Sequence, residues 1–305
     1  MRRLTLLLAA LLSSPTFSLL AQDLTLPLKS GSVRFAVIGD MGTGEVPQYE
    51  VAKRMFEFHQ KFQFTFVIMV GDNIYGGKSP AEMQRKFETP YKPLLDAGVQ
   101  FYASLGNHDD TNERFYKLFN MNEQQYYTFK KGNVRFFALD SNYMDPKQLT
   151  WVEKELSNSG KDWKIPFFHH PLYSSAALHG SSVELRKILE PIFLKYGVDV
   201  VFSGHDHVYE RFKPQKGIHY FVEGASGKLR AGNLRKSTLT AVGYDQDCSF
   251  MIVEISGDDL YFQTISRTGK TVDSGTIHRG AEATPSPAAA LYAPIRSANP
   301  AARVQ

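Results

Sequence analysis

The chain has 305 residues, a formal net charge of +4 and a single cysteine, Cys248. The weak positive charge, with no block of lysine or arginine, argues against a nucleic-acid-binding protein, because such surfaces carry clustered cations. One cysteine excludes an intramolecular disulfide, and a chain of this length buries enough apolar surface to fold without one.

The first residues have the composition of a secretory signal peptide. Arg2 and Arg3 precede the apolar run LTLLLAALL (4–12), and small residues follow as far as Ala21. This order predicts a cleavable signal over residues 1–21 and export to the periplasm or out of the cell. Its removal takes away two arginines and no acid, which lowers the formal net charge from +4 to +2. The alternative is an uncleaved anchor; no later apolar run approaches the ~20 residues of a membrane span, so stable insertion is not expected.

Strands and helices alternate along the chain after this segment. Six near-continuous apolar runs are typical of strands covered on both faces: 33–40, 65–72, 99–107, 134–141, 163–170 and 198–205. Apolar residues at helical spacing predict helices over 148–160 and 183–197, and Pro191 should bend the second helix or mark its start. Three further runs predict strands joined by short turns: 219–226, 249–256 and 260–266.

This order of elements predicts one α/β domain with packed sheets over residues 30–280. The following stretch, 281–305, is rich in alanine, proline and serine and has no sustained apolar period. That composition predicts a flexible tail.

Polar side chains cluster where five of the apolar runs end. They are Asp40, Asp72, Asn107, His108, His169, His170, His205 and His207. Ligand sites in α/β sheets lie outside the carboxyl ends of the strands, so we expect these side chains to converge. Carboxylates and imidazoles packed together without a cation would be costly, whereas both are good metal ligands. The set exceeds what one tetrahedral zinc requires, and two metals that share a carboxylate would use it fully.

Each of these short motifs has an ordinary explanation when taken alone. A Gly-Asp pair such as the one at Asp40 is often a turn, GNHDD (106–110) can form an Asx turn, and His169-His170 could be a buried pair. GHDH (204–207) is harder to explain away, because residues two apart on extended backbone point the same way. The joint occurrence of all of them at strand ends favours a metal site.

In this order, GDMG, GDNIY, GNHD, HHP and GHDH resemble the five motif blocks of metallophosphoesterases of the calcineurin-like superfamily. Tyr75, three residues after Asp72, narrows the resemblance to purple acid phosphatases, and GDNIYGG is most similar to the small tartrate-resistant type. The similarity runs from about residue 33 to residue 266. It implies a four-layer helix–sheet–sheet–helix sandwich with two mixed sheets flanked by helices.

The resemblance also implies a set of metal ligands. A ferric ion would be held by Asp40, Tyr75, His207 and the bridging Asp72. A second metal, which would be ferrous iron, zinc or manganese, would be held by Asp72, Asn107, His169 and His205. The visible colour of the family comes from charge transfer between the tyrosine phenolate and the ferric ion.

Three histidines are assigned by the same comparison. His169 is preferred to His170 because the family pattern places the ligand two residues before a proline, here Pro171. His108 matches a histidine that contacts the substrate phosphate. His179, in LHG, occupies the place of another histidine that contacts the substrate phosphate. The loop between HHP and His179 is about one residue longer here than in the small acid phosphatases.

The activity that the resemblance implies is an acid phosphatase, which hydrolyses small phosphate monoesters with a metal-bound or bridging hydroxide at acidic to neutral pH. One alternative keeps the same site but cleaves phosphodiesters such as cyclic nucleotides. Another is a non-catalytic secreted iron-binding protein. Two departures from the mammalian enzymes are visible: Cys248 cannot form their disulfide, and their protease-sensitive loop has no clear counterpart.

Overall fold

The computed structural model describes residues 24–280. The predicted signal peptide (1–21) and the predicted tail (281–305) lie outside this range. No helix within the described part is both long and apolar enough to cross a membrane.

Thirteen strands are present between residues 24 and 280. Their bounds are β1 Val33–Ile38, β2 Phe66–Val70, β3 Gln100–Ser104, β4 Tyr127–Lys131, β5 Val134–Ala138, β6 Trp163–Phe167, β7 Val200–Ser203, β8 Tyr209–Phe212, β9 His219–Glu223, β10 Thr240–Tyr244, β11 Ser249–Ser256, β12 Asp259–Ser266 and β13 Thr271–His278. The α-helices are α1 Val46–Phe62, α2 Pro80–Met83, α3 Thr89–Asp96, α4 Pro146–Ser157 and α5 Val183–Tyr196. A π-helical segment, Gln84–Glu88, joins α2 to α3, and two 3₁₀ turns lie at Thr111–Phe115 and Lys117–Phe119.

The strands form two mixed sheets. The first has the order β13-β12-β11-β1-β2-β3, with β1, β2 and β3 parallel and the other pairs antiparallel. The second has the order β10-β8-β9-β7-β6-β5-β4, with β5, β6, β7 and β9 parallel. In the first sheet the parallel strands β1, β2 and β3 form one side, with β3 at the edge, and the antiparallel strands form the other side. In the second sheet the parallel strands lie in the centre and antiparallel strands form both edges.

The two sheets pack face to face, and helices cover their outer faces. Successive side chains of a strand point to opposite faces, which β5 illustrates. Phe136 packs edge-on against Phe35 of the other sheet, with ring centroids 5.1 Å apart, whereas Phe137 lies in the cluster beneath α4 and α5. On the other side, Phe58 of α1 packs against Phe250 of β11. The predicted four-layer sandwich is therefore confirmed.

The two predicted helices are present with small shifts of their bounds. Helix α4 begins at Pro146, and the Asp145 side chain caps it by accepting a hydrogen bond from the Gln148 N–H. Helix α5 runs from Val183 to Tyr196 and contains Pro191 in its interior. The prediction that Pro191 could mark the start of this helix is wrong, because a full turn and more precedes it.

The strand ends place the site. Asp40, Asp72, His169 and His205 each stand two residues after the last residue of a strand, namely of β1, β2, β6 and β7. The first two of these strands belong to one sheet and the last two to the other. The site therefore lies where the carboxyl ends of the parallel strands of both sheets meet.

Candidate metal centre

Three site residues have left-handed backbone conformations. The φ angles are 52° at Asp40, 51° at Asp72 and 71° at His205. For residues other than glycine this conformation costs roughly 1–2 kcal/mol, although aspartate tolerates it better than most. Such strain concentrates at functional sites, where the surrounding structure holds it in place.

Two glycines allow backbone to approach the carboxylates closely. A Cβ atom at Gly106 would lie 2.2 Å from Oδ1 of Asp72, and a Cβ atom at Gly204 would lie 2.6 Å from Oδ2 of Asp40. Both distances are too short for any side chain, so the motifs GNH and GHDH require glycine at these positions.

The first group of donors surrounds Asp40. Carboxylate oxygens of Asp40 and Asp72 and a ring nitrogen of His207 lie within 4.8 Å of one another, and all three residues are buried. The Tyr75 hydroxyl lies 3.0 Å from Oδ1 of Asp40 and 3.2 Å from Nε2 of His207. These are the four side chains that the resemblance assigns to the ferric ion.

The second group of donors surrounds His169. Its Nε2 lies 3.0 Å from Oδ1 of Asn107, 3.1 Å from Nδ1 of His205 and 3.4 Å from Oδ1 of Asp72. Asp72 belongs to both groups, which is the position expected of a bridging ligand.

The protonation of His169 favours a cation in this group. Its Nδ1–H donates to the carbonyl oxygen of Val70 over 3.0 Å, and complete burial keeps the pKa of the ring well below its ordinary value. The ring is therefore neutral, and its Nε2 presents a lone pair. The oxygens of Asn107 and Asp72 thus face a nitrogen without a hydrogen, an arrangement that a metal ion resolves.

The electrostatics of Asp40, His205 and His207, which come from both groups, also favour a bound cation. Burial and the nearby charge of Asp72 raise the pKa of Asp40. Burial lowers the pKa of His207 to about 4 and that of His205 to about 2, so both rings are neutral at physiological pH. Buried carboxylates surrounded by neutral imidazoles form a site rich in electron pairs and poor in positive charge. These residues therefore fit a metal centre.

Residues 33–209 match the family model described as calcineurin-like phosphoesterase. The chain belongs to this family. It is 30% identical over 301 residues to purple acid phosphatase 4 of Arabidopsis thaliana, which covers 84% of this chain and 88% of that protein. It is 26% identical over 321 residues to human tartrate-resistant acid phosphatase type 5, with 87% and 98% covered. The relationship expected from the five motifs is confirmed.

Solved structures agree on the fold of this metallophosphoesterase. A purple acid phosphatase from yellow lupin seeds superposes with a TM-score of 0.71 at 20% identity, over 83% of this chain and 55% of that one. A Plasmodium protein described as GAP50, the anchor in the inner membrane complex, superposes with a TM-score of 0.73 at 22% identity, over 85% and 93% of the two chains. The fold thus occurs both in a phosphatase and in a protein described as an anchor, and function must be argued from the site.

His170 has a different environment from His169 in this metallophosphoesterase. Its Nδ1 lies 2.9 Å from the Ser141 hydroxyl, and its backbone N–H donates to the same oxygen. His169 contacts Asn107, His205 and the shared Asp72, whereas His170 packs against the ring of His205 at 4.5 Å. This geometry supports the choice of His169, whose role as a ligand stays a prediction.

Alanine substitution of the two neighbours should separate their roles. Loss of a residue that only hydrogen-bonds to a metal ligand lowers metal affinity by roughly 10- to 100-fold. His169→Ala, which removes a predicted ligand, is expected to lower the affinity for the second metal by more than this. His170→Ala should change that affinity by no more than this range. Metal titration of the apo protein measures both, and equal losses would contradict the assignment.

The two outer histidines flank the donor groups. His108 is exposed; its backbone N–H donates to Oδ1 of Asp72, and its ring lies 4.9 Å from that of Tyr75. His179 is also exposed, with its ring 4.3 Å from that of His205. One imidazole therefore stands beside each group, where a substrate can reach it.

The backbone expected for His205 and His207 is wrong. His205 and His207 were expected to point the same way on extended backbone, but β7 ends at Ser203 and His205 has a positive φ. The two rings instead serve different donor groups on either side of Asp72.

Sequence reasoning gave no role to Asp109, although the motif GNHD contains it. The carboxylate accepts from the backbone N–H groups of Ile74 and Gly106 and from the side chain of Asn73. Burial raises its pKa to about 7. Asp109 therefore ties the loop of Asp72 to the loop of Asn107.

Two cations beside the site were also missed. Lys228 lies over the ring of Tyr75, and the backbone N–H of Arg230 donates a hydrogen bond to the carbonyl oxygen of His207. The segment KLRAGNLRK (228–236) carries four cations in nine residues, which is the signal that could have drawn attention to it.

Proposed function

We propose that this protein is an exported purple acid phosphatase that hydrolyses phosphate monoesters with two bound metal ions. The observation that carries the proposal is the meeting of seven predicted donor side chains in two groups that share Asp72. The relatives named phosphatases support the same activity.

The first group suits a ferric ion, held by Asp40, Tyr75, His207 and Asp72. Burial and the charges of Asp40 and Asp72 raise the pKa of the Tyr75 hydroxyl far above its ordinary value. Only a highly charged cation would displace its proton and take the phenolate as a ligand. The second group, with Asn107, His169 and His205, suits ferrous iron, zinc or manganese.

Two metal ions, when bound, would withdraw charge from the phosphate oxygens and lower the pKa of water to supply the nucleophile. The chain's own residues would orient the phosphate. His108 and His179 stand exposed beside the two groups, where an imidazole N–H can donate to a phosphoryl oxygen or to the leaving group. Alanine in place of either should lower kcat by roughly 10²-fold or more with metal content unchanged.

A comparison of substrates tests the proposed activity. The metal-loaded protein should hydrolyse p-nitrophenyl phosphate at least tenfold faster, as kcat/KM, than bis(p-nitrophenyl) phosphate, because the two outer histidines can donate to a terminal dianionic phosphate. Both reactions are run at pH 5 to 7, and the p-nitrophenol released is measured as p-nitrophenolate after the samples are made alkaline. Preference for the diester would favour a phosphodiesterase, and inactivity of fully metallated protein would favour a binding or anchoring role.

Export is part of the proposal and depends on residues 1–21. The basic start, the short apolar run and the small residues before Gln22 support a cleavable signal. Expressed with its natural start, the protein should be recovered outside the cytoplasm without these residues. An intact N-terminus in the mass spectrum would contradict cleavage.

A further inference from the structure

Two cations lie at the rim of the metal centre without an anionic partner. Lys228 Nζ lies 4.0 Å from the centroid of the Tyr75 ring. Arg230 has a buried Nη1 that no hydrogen-bond acceptor satisfies. Neither side chain forms an ion pair with a carboxylate anywhere in residues 24–280.

Two other cations that are withdrawn from water have carboxylate partners. Arg211 donates to Asp273 over 2.7 Å, and the buried Lys86 is paired with Glu82. A buried guanidinium N–H without an acceptor is costly to leave unsatisfied. Arg135 also has one, at Nε, but its Nη1 lies 3.7 Å from the Glu155 carboxylate, whereas Arg230 has no carboxylate partner within residues 24–280. The arrangement around Arg230 indicates an anion that is supplied from outside the chain.

The segment that carries these cations is fixed against the site. The Arg230 backbone N–H donates to the carbonyl oxygen of His207 over 3.0 Å, and the Ser226 N–H donates to that of Gly39, also over 3.0 Å. Between them, a Cβ atom on Gly227 would lie only 2.2 Å from the carbonyl oxygen of Met41. Lys228 and Arg230 are therefore held beside the Asp40 turn by their own backbone.

The site carboxylates cannot serve as partners once metals are bound. Asp40 and Asp72 would then be neutralised by ions of higher charge, and the cations would add to a net positive site. A phosphate monoester brings at most two negative charges, which the metal ions and outer histidines engage. The site would therefore keep a net positive charge, which one more anionic group of the substrate would neutralise.

We propose that Lys228 and Arg230 form a second-anion subsite, which binds a second phosphate group next to the one that is hydrolysed. This inference depends on the proposed phosphatase function. Arginine presents a planar fork of N–H donors that fits phosphate oxygens, and lysine adds a mobile point charge. The preferred substrates are accordingly diphosphates or bisphosphates whose two phosphate groups lie close together.

Calorimetric titration of the metal-loaded protein with methylphosphonate and methylenediphosphonate tests the subsite, because neither compound is hydrolysed. The wild-type protein should bind the diphosphonate more tightly. In K228M/R230M this preference should fall by roughly 10- to 100-fold, as expected from loss of charge-assisted hydrogen bonds. Affinity for methylphosphonate should change by less than about threefold, since the donor groups and outer histidines remain. Metal content is measured in the same samples.

A matched control is available on the same segment. Arg235 and Lys236 are exposed, and R235M/K236M makes the same change of charge. This control should retain the preference for the diphosphonate, and K228R/R230K should restore most of it. Equal weakening of both phosphonates, or no effect of K228M/R230M, would overturn the subsite. Because binding is measured rather than turnover, an inactive protein would refute the phosphatase function without obscuring this result.

Discussion

Replacement of Asp72 by asparagine is expected to reduce bound metal from two ions per chain to one or fewer. Asp72 is the residue common to both donor groups, and asparagine keeps its shape while removing the charge and one acceptor oxygen. Loss of an outer partner of a metal ligand already costs roughly 10- to 100-fold in affinity or activity. We therefore expect kcat/KM for p-nitrophenyl phosphate to fall by more than about 10²-fold.

Metal analysis by mass spectrometry and steady-state kinetics measure both effects. Asp96→Asn is a suitable control, because Asp96 is an exposed residue of α3 that pairs with Lys92 at the surface and belongs to neither donor group. The control should keep both metals and full activity. Two tightly bound ions and normal activity in Asp72→Asn would exclude a bridging role for this carboxylate.

Tyr75→Phe is expected to abolish the visible absorption band of the metal-loaded protein. The Tyr75 hydroxyl lies within 3.2 Å of both Asp40 and His207, in the group that suits a ferric ion. Phenylalanine has the same ring but no oxygen, so charge transfer from a phenolate to the ion is no longer possible. The phenylalanine protein should therefore be colourless while iron remains bound through the other ligands.

An absorption spectrum with parallel iron analysis checks this prediction. Tyr143→Phe is the control, because Tyr143 is an exposed tyrosine that belongs to neither donor group. Its spectrum should match that of the wild type. A band that survives in Tyr75→Phe would show that another residue supplies the phenolate.

Six of the seven donors stand out because they follow runs that are largely apolar, whereas Tyr75 and the assignment of donors to two metals came from the resemblance to purple acid phosphatases. Asp40 and Asp72 stand out against runs such as VRFAVI and FVIMV, and the carboxyl ends of parallel strands are where sites form. Two sheets were expected, but the sequence did not reveal which of these runs belong to which sheet. That division depends on which strands pair, and no local pattern encodes it.

Four strands escaped prediction because their sequences are not apolar runs. Strand β13, TVDSGTIH, contains aspartate and glycine, which are depleted from strands. Its Asp273 is buried only because Tyr209 and Arg211 donate to it. Tyr209 and Arg211 lie far from Asp273 in sequence, so a short stretch around β13 gives no sign that they stabilise the buried carboxylate. The edge strand β10 alternates partly buried and exposed side chains and contains a glycine.

The surroundings of the site were harder to predict than its centre. Asp109 acts through hydrogen bonds to two loops, and its place depends on how those loops meet. Lys228 and Arg230 reach the site through a segment after β9 that has no strand or helix of its own between β9 and β10. Their position follows from tertiary contacts of Ser226 and Gly227, which the sequence alone does not give.

Anomalous X-ray scattering from crystals of the metal-loaded protein, recorded at the iron edge and at the edge of the second metal, tests the central claim most directly. Two peaks about 3.5–4 Å apart are expected, with Asp72 between them. One peak should lie among Asp40, Tyr75 and His207, and the other beside Asn107 and His169. A single peak, or peaks away from these side chains, would contradict a two-metal centre built on the shared carboxylate.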